Sequence, residues 1–171
     1  GYLINPNAIL KSDYLLSIGI FDDWSFEKNF NKYNKNAKIF CYDDIISFNF
    51  IFTRSIKKII LDLIKLKFKN IFKNLYTIVD YIFINNKIKF YKKKITTGDI
   101  HEIIKNLDKV FLKVDIEGSE YNILEDILKV QNKISALIIE FHDIDKNRAV
   151  IENFIQRLEL NLTHIHPNNY G

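Results

Sequence analysis

Residues 110–120 read VFLKVDIEGSE, an apolar run that meets a glycine and then a polar turn. The first seven of these residues are typical of a buried strand in a parallel sheet, and Gly118 ends that strand. A helix is predicted next, because Ser119 can cap it, Glu120 falls in its first turn, and apolar residues recur at helical spacing. This apolar stripe consists of Ile123, Leu124, Ile127 and Leu128. The stretch therefore predicts a strand–turn–helix unit with acidic residues at the turn.

Similar units lie on both sides of this stretch. Further strands are predicted at 14–20, 37–42, 88–95, 134–141 and 160–165. Further helices are predicted at 25–33, 100–107 and 147–158. Strands that alternate with helices are typical of a parallel α/β sheet. We therefore predict a Rossmann-like α/β fold, with a mostly parallel sheet and helices on both faces.

The predicted second and third strands are separated by a long connection, residues 45–86. Ile, Leu and Phe are interleaved there with Lys, and a structureless loop of this length is unusual inside a compact domain. We predict a long helical insertion of one or two amphipathic helices that acts as a lid or flap.

The charge of the chain is concentrated in residues 52–94. This block holds twelve Lys or Arg residues and two acids, a net charge of +10. Since the whole chain carries +4, the remaining residues carry a net charge of −6. Such a block favours contact with an anionic membrane or glycan. A solvated lysine face over an apolar stripe explains the same pattern more simply.

Composition places the chain among folded proteins. Its 171 residues, of which 47% are hydrophobic and 27% charged, suit one domain spanning 1–171. The pattern breaks off directly after the last predicted strand, so we expect a domain truncated at its C-terminus. The single cysteine, Cys41, cannot form an internal disulfide, which favours a reducing compartment. No apolar run reaches the roughly 20 residues of a membrane span. We expect a cytoplasmic protein, and the basic block leaves contact with a membrane surface open as an alternative.

Polar residues follow nearly every predicted strand. The segments concerned are 19–23, 43–44, 115–120, 140–143 and 164–169, and four of the five contain acids. In open parallel sheets, ligands bind at the carboxyl ends of the strands, near the point where the strand order reverses. We therefore expect Gly19, Asp43, Asp115 and His142 to converge on one edge of the sheet.

The residues LKVDIEGSE at 112–120, followed by Ile123-Leu124, resemble the LKxDxEGxE signature of FkbM-type methyltransferases. Weaker resemblances occur in the order of that family, at 17–19 with 25–27, 41–43, 139–142 and 164–169. The resemblance implies a class I methyltransferase sheet that uses S-adenosyl-L-methionine. It also implies that the acceptor is a carbohydrate, with the methyl group going to a hydroxyl of a sugar in a cell-surface polysaccharide or related glycan.

The cofactor side of the site is assigned to the first two strand ends. The resemblance implies that Ser17 and Gly19 contact the methionine part of the cofactor, with Gly19 forming a tight turn. Asp43 is expected to accept hydrogen bonds from the ribose hydroxyls, as acids do at this point in nucleotide-binding sheets. Asp22 and Asp23 can face the cofactor ammonium group or cap the next helix. Phe21 stands where family members usually carry a second small residue, and a turn poor in glycine hinders close approach of the backbone to a ligand.

The acceptor side is assigned to the later strand ends. Asp115, which is also expected to contact the cofactor, is the first candidate for a base or a metal ligand. Asp115 and Glu117 lie two residues apart, as do Glu140 and His142, so each pair would point to one side of an extended strand. His142 can accept a proton at physiological pH. Alternatively, Asp115, Glu140 and His142 could hold a divalent cation that polarises the hydroxyl, although we expect chemistry without a metal.

The remaining polar residues of the predicted site are expected to contact the carbohydrate. Those assigned to it are Glu117, Glu140, His166 and Asn168. Glu120 fits substrate contact and favourable interaction with the helix dipole equally well.

Two other functions are compatible with the sequence. One is a non-catalytic domain that keeps the methyltransferase-like fold, which the glycine-poor first turn favours. The other is a basic module that binds a membrane surface or another partner. Nucleic acid is not expected as a partner, because no motif that reads it is present.

Overall fold

A computed structural model describes residues 4–84 and 87–166. In chain order the elements are α1 (Pro6–Leu10), β1 (Tyr14–Ile18), α2 (Ser25–Tyr33), β2 (Lys38–Asp43), α3 (Phe48–Ile64), α4 (Phe68–Ile84), β3 (Ile88–Lys92), α5 (Asp99–Ile104), β4 (Val110–Val114), α6 (Leu124–Lys129), β5 (Ile134–Ile139) and α7 (Ile144–Arg157). A 3₁₀ turn, Glu120–Ile123, leads into α6, and another, Gln131–Lys133, leads into β5. The predicted alternation of strands and helices is confirmed.

The five strands form one sheet in the order β3-β2-β1-β4-β5, and all neighbouring strands are parallel. The chain moves outward from β1 to β3, then returns to place β4 on the other side of β1. The strand order therefore reverses between β1 and β4, which is where Rossmann-like sheets bind ligands.

Each face of the sheet is covered by helices. Leu15, Ile39 and Phe111 face one apolar cluster, which includes residues of α1, α2 and the first part of α3. Leu16 and Leu112 face the other cluster, together with α5, α6 and α7. Successive residues of a strand point to opposite faces, so the continuous apolar runs of β1 and β4 supply both clusters.

Two sequence predictions about the strands are wrong. Leu160–Ile165 does not form a sixth strand, since residues 160–166 are neither paired nor helical. Four strands end earlier than predicted: β1 at Ile18, β3 at Lys92, β4 at Val114 and β5 at Ile139. Left-handed backbone conformations follow β1 and β4, with φ of 77° at Gly19 and 49° at Glu117.

The connection between β2 and β3 forms two helices, α3 and α4, that pack against each other as a hairpin. Ser47 caps α3 by accepting a hydrogen bond from the backbone N–H of Phe50. The buried residues of the hairpin are Ile51, Ser55, Tyr81 and Ile84, all near the end that joins the sheet. No helix in the described ranges is both long and apolar enough to cross a membrane.

Candidate functional site

A cleft of about 640 Å³ lies at the carboxyl edge of the sheet, beyond the ends of β1, β2 and β4. It is lined by the loops that follow β1, β2 and β4, together with residues 93–95. Gly19, Asp43, Asp115 and Glu117 all lie on its wall. Its volume falls within the range of roughly 300–1,000 Å³ found for small-molecule sites. The predicted convergence is therefore observed for Gly19, Asp43 and Asp115, whereas His142, the fourth predicted position, is not among the residues of this wall.

Gly19 is required by the packing of the cleft floor. Its φ is 77°, and a Cβ at this position would overlap the carbonyl oxygen of Asp115. Its N–H donates to the carbonyl of Tyr42, and its own carbonyl accepts a hydrogen bond from Lys113 Nζ. Gly19 thus lets the loop after β1 lie directly against the loop after β4.

Asp43 ties two loops of the cleft together. Its Oδ2 accepts hydrogen bonds from the backbone N–H groups of Ile20 and Phe21, at 3.2 and 2.9 Å. Its Oδ1 accepts from those of Ile45 and Ile46, at 2.8 and 3.0 Å. A carboxylate has about four acceptor positions, and backbone donors use four here. Asp43 shapes the cleft, and its predicted contact with ribose stays a prediction.

Asp44, the next residue after Asp43, is more accessible to a ligand than Asp43. It lines the same cleft, its side chain is exposed, and it makes no hydrogen bond or ion pair within the described residues. A carboxylate beside the end of β2 with unused acceptor positions suits a pair of ribose hydroxyls. Sequence reasoning passed over Asp44 because two adjacent aspartates cannot be told apart from spacing.

The acids of the first loop have separate partners. Asp23 Oδ1 accepts from the N–H of Ser25 and so caps α2, one of the two predicted uses. Asp22 binds Arg54 Nε at 2.5 Å and Lys58 Nζ at 3.0 Å. Burial acts to raise the pKa of Asp22, but the hydrogen bonds from Lys58 and Arg54 outweigh it and lower the pKa.

Ser17 does not contact the cleft, so its predicted role in direct cofactor binding is wrong. Its side chain is fully buried, and its hydroxyl donates to Glu27 Oε1 at 2.5 Å. Burial raises the pKa of Glu27, while Lys113 and Ser17 act to lower it. Burial also raises the pKa of the neighbouring Cys41 thiol well above its usual value, which favours the protonated thiol.

Lys113 places a buried positive charge on the wall of the cleft. The residue is 4% exposed, and its Nζ donates to the Gly19 carbonyl at 3.1 Å. The same Nζ lies 4.0 Å from Asp115 Oδ2. Sequence reasoning did not assign Lys113 a role, although a lysine inside an otherwise apolar strand is a signal that could have been used.

Asp115, Glu140 and His142 meet at the ends of β4 and β5. Each offers one ligand atom, and these three atoms lie within 4.8 Å of one another. All three residues are half-buried. Two carboxylates and an imidazole at this separation could hold a divalent cation, or they could bind a hydroxyl and take its proton.

Glu120 controls the position of His142. Its carboxylate is fully buried, and it accepts hydrogen bonds from the N–H groups of Gly118 and His142, at 2.8 and 2.6 Å. Its Oε1 also lies 3.2 Å from His142 Nδ1. When Nδ1 carries the proton and donates to Glu120, Nε2 is left with its lone pair, the arrangement of a histidine base with its orienting acid. Glu120 thus contacts neither bulk solvent nor the cleft wall.

Glu117 lies at the mouth of the cleft. The strand geometry predicted for Asp115 and Glu117 is wrong, because β4 ends before both of them. The Glu117 side chain is 88% exposed, and its Oε2 lies 3.4 Å from His142 Nε2. Ser119, predicted to cap the following helix, makes no capping hydrogen bond with its side chain.

The C-terminal part of the predicted site is not brought to the cleft. His166 is exposed and stacks on His164, with ring centroids 5.9 Å apart, and it is not among the residues of the cleft wall. Asn168 lies outside the described residues.

A second cleft, of about 550 Å³, lies between α2 and the hairpin. Most of its charged groups are paired with one another: Asp22 with Arg54 and Lys58, and Asp80 with Lys28. The hairpin contributes no residue to the wall of the first cleft, so it does not form the predicted lid in this conformation. The groups suited to chemistry lie in or beside the first cleft, since Asp115 is on its wall and Glu140 and His142 lie next to Asp115.

Comparisons of the chain with protein-family models, with curated proteins and with solved structures give no match.

Proposed function

We propose that the chain is an S-adenosyl-L-methionine-dependent methyltransferase that methylates a hydroxyl oxygen. The observation that carries this proposal is the arrangement at the point where strand order reverses. A cleft of cofactor size has the exposed carboxylate of Asp44 near β2, and a histidine with an orienting acid lies beside Asp115 of the cleft wall. The sequence resemblance described above supplies the reaction class. It alone supports a sugar of a cell-surface polysaccharide or related glycan as the acceptor.

The residues of the first two loops suit the cofactor. Asp44 offers acceptors to the ribose hydroxyls, and Asp43 holds the loops in place around them. The loop at Gly19 lies on the cleft wall beside Asp115, whose carboxylate can accept from an ammonium group. When bound, the cofactor supplies a methyl group on a positively charged sulfur, which makes its carbon electrophilic.

The residues near β5 suit the acceptor. Methylation forms an O–C bond, breaks the C–S bond and releases the hydroxyl proton, which needs a base. In our proposal His142 Nε2 takes that proton, and Asp115 orients the hydroxyl by accepting its hydrogen bond before the transfer. Glu120 and Glu117, on either side of the imidazole, stabilise its positive charge after protonation. Glu120 acts on His142 and is a positioning residue.

One observation favours the rival interpretation, a methyltransferase-like domain that does not bind the cofactor. The N–H of Phe21 is occupied by Asp43, and its backbone is left-handed, with φ of 47°, without being glycine. A ligand that needs this N–H would have to displace Asp43. Cofactor binding separates the two interpretations.

The proposed reaction is tested with S-adenosyl-L-methionine labelled in its methyl group and a panel of polysaccharides. We expect label to enter the polysaccharide and to survive mild alkali, because methyl ethers are stable to base and methyl esters are not. The variant His142→Gln should lose about 10²- to 10⁴-fold in rate. His164→Gln, an exposed histidine away from the cleft, is the matched control and should keep full activity. Label released by alkali, or equal rates in both variants, would contradict the proposal.

A further inference from the structure

The free end of the α3–α4 hairpin has an unusual surface. We define the hairpin tip as residues 60–73, from the last turns of α3 to the first turns of α4. Large apolar side chains there face solvent: Ile64, Leu66 and Phe72 are 74, 73 and 72% exposed. Exposed apolar side chains grouped at one place on a surface mark an interaction site.

The apolar stripe continues along α4. Phe68, Phe72, Leu75, Val79 and Ile82 are all exposed, and their spacing of four and three residues places them on one side of the helix. The hairpin is buried only at its other end, so no residue between 56 and 80 is buried. The hairpin tip therefore has no covering element among the described parts of the chain.

Lysines are interleaved with these apolar residues. Lys65, Lys67, Lys69 and Lys73 are exposed, and none forms an ion pair with a described residue. The one acid of the hairpin tip, Asp62, is engaged by Asn70 and Asn74. The surface thus combines insertable apolar side chains with positive charges that form no ion pair with the described part of the chain.

We propose that the hairpin tip docks on an anionic lipid bilayer. Leu66, Phe68 and Phe72 enter the boundary between headgroups and acyl chains, and the lysines bind lipid phosphates at the surface. A second copy of the chain does not fit this surface, because it would bring two blocks of like charge together. A bilayer with acidic headgroups complements both features at once.

Docking would hold the cleft near the membrane. The hairpin is fastened to the cleft loop through Asp22, which binds Arg54 and Lys58 of α3. A helix of 17 residues such as α3 is about 25 Å long, which sets the distance between the cleft and the docking surface. The proposal concerns the hairpin alone and holds whether or not the cleft binds a methyl donor.

The test is co-sedimentation of the chain with vesicles of phosphatidylcholine alone or with 30% phosphatidylglycerol, a composition chosen as roughly that of an anionic membrane. We expect binding to the anionic vesicles only, weakened by raising the salt concentration from about 0.1 to 0.5 M. The triple variant Lys65→Gln, Lys67→Gln, Lys69→Gln should bind at least roughly tenfold more weakly. The variant Leu66→Ser, Phe68→Ser should lose a similar amount, because it removes exposed apolar side chains without altering the charge.

Matched controls exclude a general charge effect. Lys11, Lys35 and Lys38 are exposed at the opposite, amino edge of the sheet, and changing all three to Gln removes the same charge. This control should bind vesicles like the wild type. Equal loss in both lysine variants would overturn the proposal. A second result would also overturn it: the chain does not bind vesicles but forms a dimer in solution, and the variant Leu66→Ser, Phe68→Ser abolishes that dimer.

Discussion

The carboxylates of Asp43, on the cleft wall, and Glu120, buried behind His142, accept hydrogen bonds from backbone N–H groups, whereas the lysines of the hairpin tip have no ion-pair partner among the described residues. Apolar side chains differ in the same way. Phe30 and Phe111, on the sheet, are buried, and Phe72, on the hairpin tip, faces solvent. The hydrogen bonds of Asp43 fix the geometry of the cleft loops, and Asp44 keeps acceptor positions for a ligand. The hairpin tip leaves both polar and apolar groups unsatisfied, which is the state of a surface that needs a partner.

The largest expected loss of stability follows substitution of Gly19, because the cleft has no room for a side chain there. Gly19→Ala should cost more than about 4 kcal/mol of unfolding free energy, because its Cβ would overlap the Asp115 carbonyl oxygen. Gly98→Ala is the matched control: its φ is 90°, but nothing lies within 4 Å of the added Cβ. At Gly98 only the left-handed backbone conformation disfavours alanine, and the expected loss of unfolding free energy is about 1–2 kcal/mol. Urea unfolding checks both, and similar losses would show that Gly19 is not held by close packing.

The two classes of phenylalanine should respond very differently to truncation. Phe30→Ala should cost about 3–5 kcal/mol, since Phe30 is buried against Phe111, with ring centroids 5.2 Å apart. Phe72→Ala should change stability by less than about 0.5 kcal/mol. Thermal unfolding of both variants measures this difference. A large loss for Phe72→Ala would mean that the hairpin tip packs on another part of the chain, and the contrast would fail.

These elements show what the sequence could and could not predict. The apolar runs and their helical neighbours predicted all five strands, because burial and periodicity act locally. The predicted sixth strand at 160–165 has an apolar pattern as well, but it stays unpaired although β5 lies at the edge of the sheet, because an apolar pattern does not determine which segments pair. The convergence of Gly19, Asp43 and Asp115 was predictable from the strand-end rule alone.

The hydrogen-bond partners within the site were not predictable. Ser17, inside β1, donates to Glu27 of the covering helix α2, and Glu120 turns back to His142 after the loop reverses at the left-handed residue Glu117. This conformation occurs at a residue type that usually avoids it, so spacing along the chain gives no signal. The exposed side of the hairpin was missed for another reason. An amphipathic pattern predicts an apolar face, but it does not say what covers that face.

Glu120 and Glu117 lie in the same loop, but the carboxylate of Glu120 is buried and that of Glu117 is exposed. Glu120→Ala should cost about 2–3 kcal/mol, because it leaves the buried N–H groups of Gly118 and His142 without an acceptor. Glu117→Ala should remain within about 0.5 kcal/mol of the wild type. Chemical unfolding of the two variants is the measurement. Equal stability would contradict the role of Glu120 in positioning His142.

The smallest effect is expected where the hairpin meets the sheet. Asp80 accepts hydrogen bonds from Trp24 Nε1 and Lys28 Nζ, each at 2.7 Å. Burial acts to raise the pKa of Asp80, but the hydrogen bonds from Lys28 and Trp24 outweigh it and hold the pKa below its usual value of 3.8. The stabilisation is therefore complete above about pH 3.8 and is lost as the pH falls through the lower pKa of the folded state.

The single tryptophan, Trp24, reports this contact directly. Asp80→Asn should cost about 1 kcal/mol at neutral pH and shift Trp24 fluorescence. The difference in stability between this variant and the wild type should vanish below the pKa of Asp80 in the folded protein. At such a pH the Asp80 carboxyl of the wild type is protonated and neutral, like the amide of the variant. Asp108→Asn, at an exposed aspartate, is the control without a fluorescence change. A difference that grows as the pH falls would contradict the assigned direction of the pKa shift.

Calorimetric titration with S-adenosylhomocysteine tests the cleft most directly. We predict micromolar binding to the wild type, at least roughly tenfold weaker binding to Asp44→Asn, which loses the ribose contact, and unchanged binding to the control Asp108→Asn. A folded protein that gives no heat of binding, or that binds equally well after Asp44→Asn, would contradict the assignment of this cleft to the methyl donor.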